Sequence, residues 1–315
     1  MRVLFAGTPE AALPSLRALL DSPHEVVAVL TRPDAPAGRQ RRLRASPVAE
    51  LARSLGLTLL TPTSTREQQV RDDIAGLALD AAAVVAYGNL LRPELLTLPR
   101  HGWVNLHFSL LPAWRGAAPV QHAIMAGDEI TGATTFQLDE GLDTGPVIGT
   151  LTERVRADDT AGSMLDRLSA AGASLLVASL DALDSGQAHL RSQPAEGVSH
   201  APKLSRQDDE VRWARPAFAV ERQVRGCTPD PGASTLWRGG RLNLRPLRTG
   251  GDSFPSPPSL GAGEVRAEKQ AVWVGKSTEA VRLGDVQPPG KSFMDAADWA
   301  RGTRPQPGER FEVEQ

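Results

Sequence analysis

Three polar side chains interrupt an apolar stretch in the first half of the chain. Asn105, His107 and Ser109 alternate with apolar residues, and alternate residues of a β-strand share one face. Burial of such groups without partners would cost about 1–3 kcal/mol each, so their alignment needs a reason. A histidine exchanges protons near neutral pH, and a carboxamide can donate to an oxygen that becomes negative in a tetrahedral intermediate. The spacing therefore predicts a catalytic site at this strand.

A carboxylate that could complete this group lies in the segment 139–145, which reads Asp-Glu-Gly-Leu-Asp-Thr-Gly. The two glycines of the segment permit a close approach of the backbone. We expect Asp143 to orient the His107 ring and to favour its protonated form. A strand histidine alone, or an Asp-Gly turn alone, is more often structural. The combination of the two with Asn105 favours catalysis.

Other chemistries have weaker support in the sequence. The segment 7–10 follows the first apolar run but lacks the G-x-G-x-x-G spacing of dinucleotide-binding turns. Ser109 lies outside a G-x-S-x-G motif, which disfavours a serine hydrolase. The six histidines show no metal-ligand spacing, and the single cysteine, Cys227, excludes an internal disulfide. We therefore expect neither a nicotinamide cofactor nor a metal.

The composition indicates a globular protein of two domains. The chain has 315 residues, 41% of them hydrophobic, which is enough for two cores. Its net charge of −2 disfavours a strongly basic nucleic-acid binder but leaves room for local basic patches. No apolar run approaches the roughly 18–20 residues of a membrane span, and the apolar stretch at the N-terminus is too short for a signal peptide. We expect a cytoplasmic protein that does not associate with membranes.

The first half of the chain alternates short apolar runs with helical patterns. This alternation predicts an α/β domain with a doubly wound, mostly parallel sheet. The predicted strands cover residues 3–6, 26–30, 57–60, 81–86, 104–108 and 133–138. Ligands of such sheets bind beyond the carboxyl ends of the strands, so the loop 110–116 is expected at the site.

The character of the sequence changes after Gly186. Residues 187–207 are polar and irregular, which predicts a linker. Residues 208–315 contain glycine- and proline-rich turns between short β-like runs, which predict a small all-β barrel. We therefore predict a catalytic domain over residues 1–186, followed by the linker and a second domain. The proline-rich segment 250–259 predicts a surface loop.

Two basic groups lie outside the predicted strands. Within residues 32–44 a single acidic residue accompanies five arginines, namely Arg32, Arg39, Arg41, Arg42 and Arg44. The predicted linker contributes Lys203 and Arg206. A solvated loop is the simplest interpretation of the arginine cluster. Two basic groups on either side of one site favour a polyanionic substrate whose reactive end enters that site.

Several motifs resemble those of a known enzyme family. The segment 104–112, followed by Arg115-Gly116, is similar to the hallmark of enzymes that use 10-formyltetrahydrofolate, and the segment 132–145 is similar to their second motif. Further motifs extend the resemblance over nearly the whole chain and make it similar to the methionyl-tRNA formyltransferases. These motifs are Phe-Ala-Gly-Thr-Pro-Glu at 5–10, Ala-Tyr-Gly at 86–88, Ala-Pro-Lys-Leu at 201–204 and Gln-Pro-Pro-Gly-Lys at 287–291.

The resemblance implies a fold, a reaction and a set of site residues. The fold would be a Rossmann-like domain of the formyltransferase type followed by an OB-like barrel that contacts tRNA. The reaction would move a formyl group from 10-formyltetrahydrofolate, without a metal, to the α-amine of methionyl initiator tRNA for translation initiation. Asn105 and protonated His107 would stabilise the oxyanion, and Asp143 would hold His107 and help to accept the amine's proton. The binding residues would be Ser109, Leu110, Leu111, Pro112, Tyr87 and Gly88 for folate, and Arg39, Arg41, Arg42, Lys203 and Arg206 for tRNA.

Two other functions remain open on the sequence. The acceptor could be a small amine, such as an amino-sugar nucleotide or glycinamide ribonucleotide, because the two hallmark motifs do not select the acceptor. The chain could also be a non-catalytic RNA-binding protein on a transferase fold. The basic groups and the second domain favour tRNA over a small amine as the acceptor. The presence of all three predicted catalytic residues, Asn105, His107 and Asp143, favours an enzyme over a non-catalytic protein. We expect a monomer.

Overall fold

Buried apolar strands form the centre of the first half of the molecule. The computed structural model describes residues 1–37, 42–248 and 258–312. Arg39, Arg41 and most of the predicted loop at 250–259 lie outside these residues. Strands β1 (Arg2–Gly7) and β6 (Ala81–Val85) consist almost entirely of apolar residues and are buried along almost their whole length. Strands covered on both faces are typical of parallel sheets, as the sequence predicts.

A seven-stranded sheet has the order β5-β2-β1-β6-β7-β8-β9. Pairing is parallel from β5 to β7, whereas β8 is antiparallel to both β7 and β9. This confirms the predicted doubly wound, mostly parallel sheet. The strands are β1 Arg2–Gly7, β2 Glu25–Leu30, β5 Leu59–Leu60, β6 Ala81–Val85, β7 Trp103–His107, β8 Ile130–Gln137 and β9 Val147–Arg154; a separate hairpin consists of β3 Ala35–Ala37 and β4 Arg42–Arg44.

The helices connect the strands, and local signals set their ends. Helix α2 begins at Pro47, because Ser46 caps it by accepting a hydrogen bond from the Ala49 amide at 3.1 Å. Helix α6 has 24 residues. The helices are α1 Leu13–Leu20, α2 Pro47–Ser54, α3 Gln68–Gly76, α4 Pro93–Leu96, α5 Pro119–Ala126 and α6 Ala161–Asp184.

The C-terminal part of the chain forms antiparallel sheets, as the sequence predicts. One sheet has the order β10-β11-β15-β16 and the other the order β12-β13-β14. These strands are β10 Ala233–Trp237, β11 Gly240–Leu244, β12 Val265–Ala267, β13 Val272–Val274, β14 Val281–Arg282, β15 Asp285–Gln287 and β16 Met294–Asp295. Strands from both sheets share one apolar core with Trp213 and Phe311, whose rings stack at 5.2 Å.

Three helices in this part were absent from the sequence analysis. They are α7 Arg206–Asp209, α8 Ala217–Cys227 and α9 Ala296–Thr303. Helix α8 has buried apolar residues at helical spacing, namely Ala217, Val220, Val224 and Cys227, and this pattern was overlooked in the sequence. Helix α9 has a local start signal in the sequence, the N-cap residue Asp295, whose carboxylate accepts a hydrogen bond from the Ala297 amide at 2.8 Å.

The contacts between residues divide the chain into two compact units. The first contains Met1–Pro119, Ile130–Arg154 and Leu165–Pro202, and the second contains the remaining segments. Most of the predicted linker, residues 187–202, thus belongs to the first unit, where His200 forms a β-bridge with Arg115. The division at residues 186 and 207 stays a prediction. No helix within the described ranges is long and apolar enough to cross a membrane.

Candidate active site

Strand β7 carries the predicted polar face at the carboxyl end of the sheet. Asn105 is half-buried, and His107, the last residue of the strand, is 6% exposed. Neighbouring β6 pairs Val84 with Asn105, so the turn that begins at Ala86 lies beside the His107 end of β7. The β6 and β7 carboxyl ends therefore border one region, as expected of an open α/β sheet.

Both ring nitrogens of His107 face oxygen atoms. Nε2 lies 2.8 Å from the Trp114 carbonyl oxygen, and a carbonyl only accepts hydrogen bonds, so Nε2 carries the proton. Nδ1 lies 3.8 Å from Oδ2 of Asp143. This distance is within range for charge interaction but too long for a direct hydrogen bond. The structure thus brings the predicted imidazole and carboxylate together.

The ionisation of His107 differs from the expectation. Burial lowers the pKa of the imidazole, while the Asp143 carboxylate and the hydrogen bond to Trp114 oppose this effect. Burial is the largest of these influences, so the net pKa lies below the ordinary value of 6.5. The neutral ring is favoured near pH 7. The carboxylate alone would favour the protonated form, as predicted from the sequence, but burial outweighs it.

The loop 110–116 holds the Asp143 carboxylate. Its Oδ2 accepts a hydrogen bond from the Gly116 amide at 2.8 Å. Gly116 has φ +125°, and a Cβ at this position would lie 2.6 Å from the Ala201 carbonyl oxygen, so only glycine fits here. Asp143 itself has φ +52°, a left-handed conformation that few non-glycine residues adopt. The site therefore depends on backbone geometry that its surroundings must maintain.

The other two polar residues of the predicted strand have different environments. Among the described residues, nothing forms a hydrogen bond with the Asn105 carboxamide, which alternation places on the same face as His107. Ser109 is fully buried, and its hydroxyl donates to the Ala113 carbonyl at 2.6 Å. Asn105 therefore remains available to a ligand, whereas the Ser109 side chain stabilises its own loop.

The residues predicted to contact folate are mostly engaged within the protein. Leu111 donates its amide to the Thr134 hydroxyl at 3.1 Å, and its side chain packs against Phe136. Tyr87 lies with its ring in the core of the first unit, and Gly88 beside it is exposed. Leu110 and Pro112 are partly exposed. Contacts to a ligand would therefore come chiefly from backbone atoms and from the exposed part of this loop.

The basic residues that the structure describes are exposed. Arg42 lies on β4, Lys203 precedes α7 and Arg206 begins it. In the ranges 1–37, 42–248 and 258–312, no cluster of three His, Cys, Asp or Glu side chains could hold a metal ion.

Sequence reasoning missed two contributors to the site. The Trp114 carbonyl orients His107, but a backbone oxygen leaves no signal in residue type. Thr134 donates its hydroxyl to the Ser109 carbonyl at 2.7 Å and accepts from the Leu111 amide, which links β8 to the loop. Thr134 lies in the motif segment 132–145, so the sequence held a signal for it, but its place opposite His107 in the β7–β8 register appears only in the structure.

Comparison with known proteins agrees with the geometry. Residues 1–180 match the family described as "Formyl transferase" and residues 203–304 the family "Formyl transferase, C-terminal domain". The chain is 56% identical to a methionyl-tRNA formyltransferase of Nocardioides sp. over 99% of this chain and 98% of the relative. It is 55% identical to the enzyme of that name from Salinispora arenicola over 98% of this chain and 99% of the relative.

Solved structures show the same fold. An N-formyltransferase from Helicobacter canadensis, solved with folinic acid and dTDP-3-aminofucose, superposes with a TM-score of 0.63 at 15% identity over 90% of this chain and 99% of that one. At this identity the likeness concerns the fold alone. The two matched domains and the full-length similarity above 50% identity decide the family. The chain belongs to the formyl transferases and, within them, to the methionyl-tRNA formyltransferase family.

Proposed function

We propose that the protein transfers a formyl group from 10-formyltetrahydrofolate to the α-amine of methionyl initiator tRNA, the step that prepares this tRNA for translation initiation. The donor is of the folate type, which agrees with the family. The proposal rests on the pairing of buried His107 with partly buried Asp143, beside an Asn105 carboxamide that makes no hydrogen bond within the described chain. The chain is also similar over nearly its full length to methionyl-tRNA formyltransferases.

The reaction requires stabilisation of a developing negative charge. The neutral amine attacks the formyl carbon, a tetrahedral oxyanion forms, and the bond from that carbon to N10 of the folate then breaks. We assign the Asn105 carboxamide as the donor to the oxyanion, because its amide is half-buried and makes no hydrogen bond within the described chain. One such donor contributes about 3–4 kcal/mol of transition-state stabilisation.

We assign the proton transfers of the reaction to His107 and Asp143. The attacking amine loses one proton and the departing N10 gains one. In the neutral imidazole, Nδ1 is the unprotonated nitrogen and faces the Asp143 carboxylate at 3.8 Å. The pair can take up the amine's proton and release it to N10, with Asp143 stabilising the transient imidazolium. The Trp114 carbonyl keeps the ring in this tautomer.

Binding of the two substrates is assigned to different surfaces. We assign the folate to the region of Tyr87 and Gly88 and to the loop Ser109–Pro112, largely through backbone atoms and partly exposed side chains. We assign the tRNA phosphates to Arg39, Arg41, Arg42, Lys203 and Arg206. Phosphate contacts by arginine and lysine make binding dependent on salt concentration.

A transfer assay with defined acceptors tests the proposal. The purified protein, 10-formyltetrahydrofolate and methionyl initiator tRNA should yield formylmethionyl-tRNA, with uncharged initiator tRNA as the control that lacks the amine. An amino-sugar nucleotide and glycinamide ribonucleotide serve as competing acceptors. Faster transfer to either small amine, or no transfer to the charged tRNA, would overturn the proposal.

A further inference from the structure

The segment 191–201 lies against both loops of the candidate active site. The Ser199 hydroxyl accepts a hydrogen bond from the Trp114 amide at 2.8 Å, and the Arg115 amide donates to the Ser199 carbonyl at 2.9 Å. On the other side, Arg191 and Val147 exchange backbone hydrogen bonds. A segment that the sequence analysis assigned to a linker therefore contacts the loop that orients His107.

Gln193 connects the two loops through a single side chain. Its amide nitrogen donates to the carbonyl oxygens of Asp143 and Gly145, both at 2.8 Å. Its oxygen accepts from Arg115, at 2.6 Å from Nη2 and 3.2 Å from Nε. The amide can point only one way, because the reverse orientation would place oxygen against two carbonyls and hydrogen against a guanidinium.

We infer that Gln193 is a positioning residue for formyl transfer, which fixes the Asp143 carboxylate relative to His107 by tying the backbone of its turn to Arg115. The kinetic part of this inference rests on the proposed function. Asp143 needs such support because its left-handed backbone is unfavourable for a residue with a side chain. The Gly116 amide holds the carboxylate, and Gln193 holds the backbone on either side of the intervening residue.

Two variants separate the donor half of the Gln193 amide from its acceptor half. Gln193→Glu keeps an oxygen for Arg115 but removes both donors to the Asp143 turn. Gln193→Ala removes both halves. The matched control is Gln187→Ala, which truncates an exposed glutamine shortly before this segment. Because the inferred role acts through Asp143, both Gln193 variants should lose turnover, and Gln187→Ala should not.

The expected change is a loss of kcat without a matching change in KM. A misplaced catalytic group costs about 10–100-fold in rate, so we expect kcat to fall in this range with the KM of both substrates nearly unchanged. The second readout is the titration of the His107 ring by nuclear magnetic resonance. Asp143 raises the pKa of His107, so displacement of the carboxylate in Gln193→Ala should lower that pKa further.

The outcomes are distinguishable from a failure of the proposed function. If the wild-type protein transfers no formyl group, the proposed function fails, and the His107 titration still decides the role of Gln193. Wild-type turnover in Gln193→Glu would overturn the inference. A lowered melting temperature in Gln193→Ala with an unchanged His107 titration would also overturn it, because the residue would then be a structural brace only.

Discussion

Two basic side chains, one in each unit, are both buried but differ in the groups that surround them. His107 is 6% exposed and Lys276 is 4% exposed. Burial is the largest influence on both groups and lowers the pKa of each, that of Lys276 to about 7. Desolvation disfavours the charged form of any such group. By burial and pKa alone, the two residues are alike.

Their partners separate them. His107 has a carbonyl at one ring nitrogen and a carboxylate near the other. The Lys276 ammonium has no hydrogen-bond partner in the described chain, and it lies 5.4 Å from the centre of the Trp213 ring. A buried cation without hydrogen-bond partners costs stability, whereas a buried basic group with such partners can be held in a chosen protonation state. Partners, and not burial, therefore distinguish a candidate active site from a costly core residue.

The largest expected effect comes from the active-site side of this comparison. Asn105→Ala should lower the rate of formyl transfer by about 10²–10³-fold, because the oxyanion loses its assigned donor. The measurement is single-turnover transfer to methionyl initiator tRNA, with circular dichroism to confirm folding. A variant that keeps most of its turnover would remove Asn105 from the mechanism.

Replacement of Lys276 should instead be favourable, because it should stabilise the folded protein. Lys276→Met should raise the free energy of unfolding at pH 7 by about 2–4 kcal/mol, because methionine fills a similar volume without a charge to desolvate. The measurement is denaturant unfolding of the full chain. Lys269→Met, at an exposed lysine, is the matched control and should change stability little. Lower stability of Lys276→Met would contradict the comparison.

The gain in stability expected for Lys276→Met should also depend on pH. The folded pKa of Lys276, about 7, lies below its ordinary value of 10.5, so the unfolded state binds an additional proton between these pH values. The penalty in the wild-type protein is therefore complete below pH 7 and declines as the pH rises towards 10.5. The advantage of Lys276→Met should shrink over the same range.

A smaller effect sharpens the description of His107. Asp143→Asn should lower the pKa of the His107 ring below its wild-type value, because the nearby charge that raises it is removed. Ring titration by nuclear magnetic resonance measures this shift. In the wild-type protein, the acidic limb of kcat attributed to His107 should lie below pH 6.5. A limb above that pH would mean that burial does not dominate.

The smallest effect on function is expected at the exposed basic residue Arg42, away from the candidate active site. Arg42→Ala should raise the KM for tRNA by about two- to fivefold and reduce the salt dependence of tRNA binding by roughly one phosphate contact, while folate binding stays unchanged. The measurement is tRNA binding as a function of salt concentration. The exposed Arg66 is a matched control, and an equal effect of Arg66→Ala would remove the specific role of Arg42.

The strands and the principal residues of the site were predictable for a common reason. Strand β7 and its neighbours are short apolar runs bounded by turns, and Asn105 and His107 stand out because polar residues at every second position share a face. Helix α8 was predictable from the helical spacing of Ala217, Val220, Val224 and Cys227 but was overlooked, whereas the burial of its polar residues Gln223 and Arg225 depends on backbone carbonyls outside the helix. Gln193 was missed because its contacts are carbonyls and a guanidinium from distant loops.

The sequence by itself determined the family, the mostly parallel sheet and the expected pairing of His107 with Asp143. The spacing of motifs and the period of apolar residues can both be read directly from the order of residues along the chain. Only the tertiary structure decided the ionisation of His107, the engagement of Ser109 and Tyr87 within the protein, and the links of Gln193. These depend on desolvation and on backbone atoms contributed by segments far apart in the chain. Such influences act through space, so the order of residue types does not encode them directly.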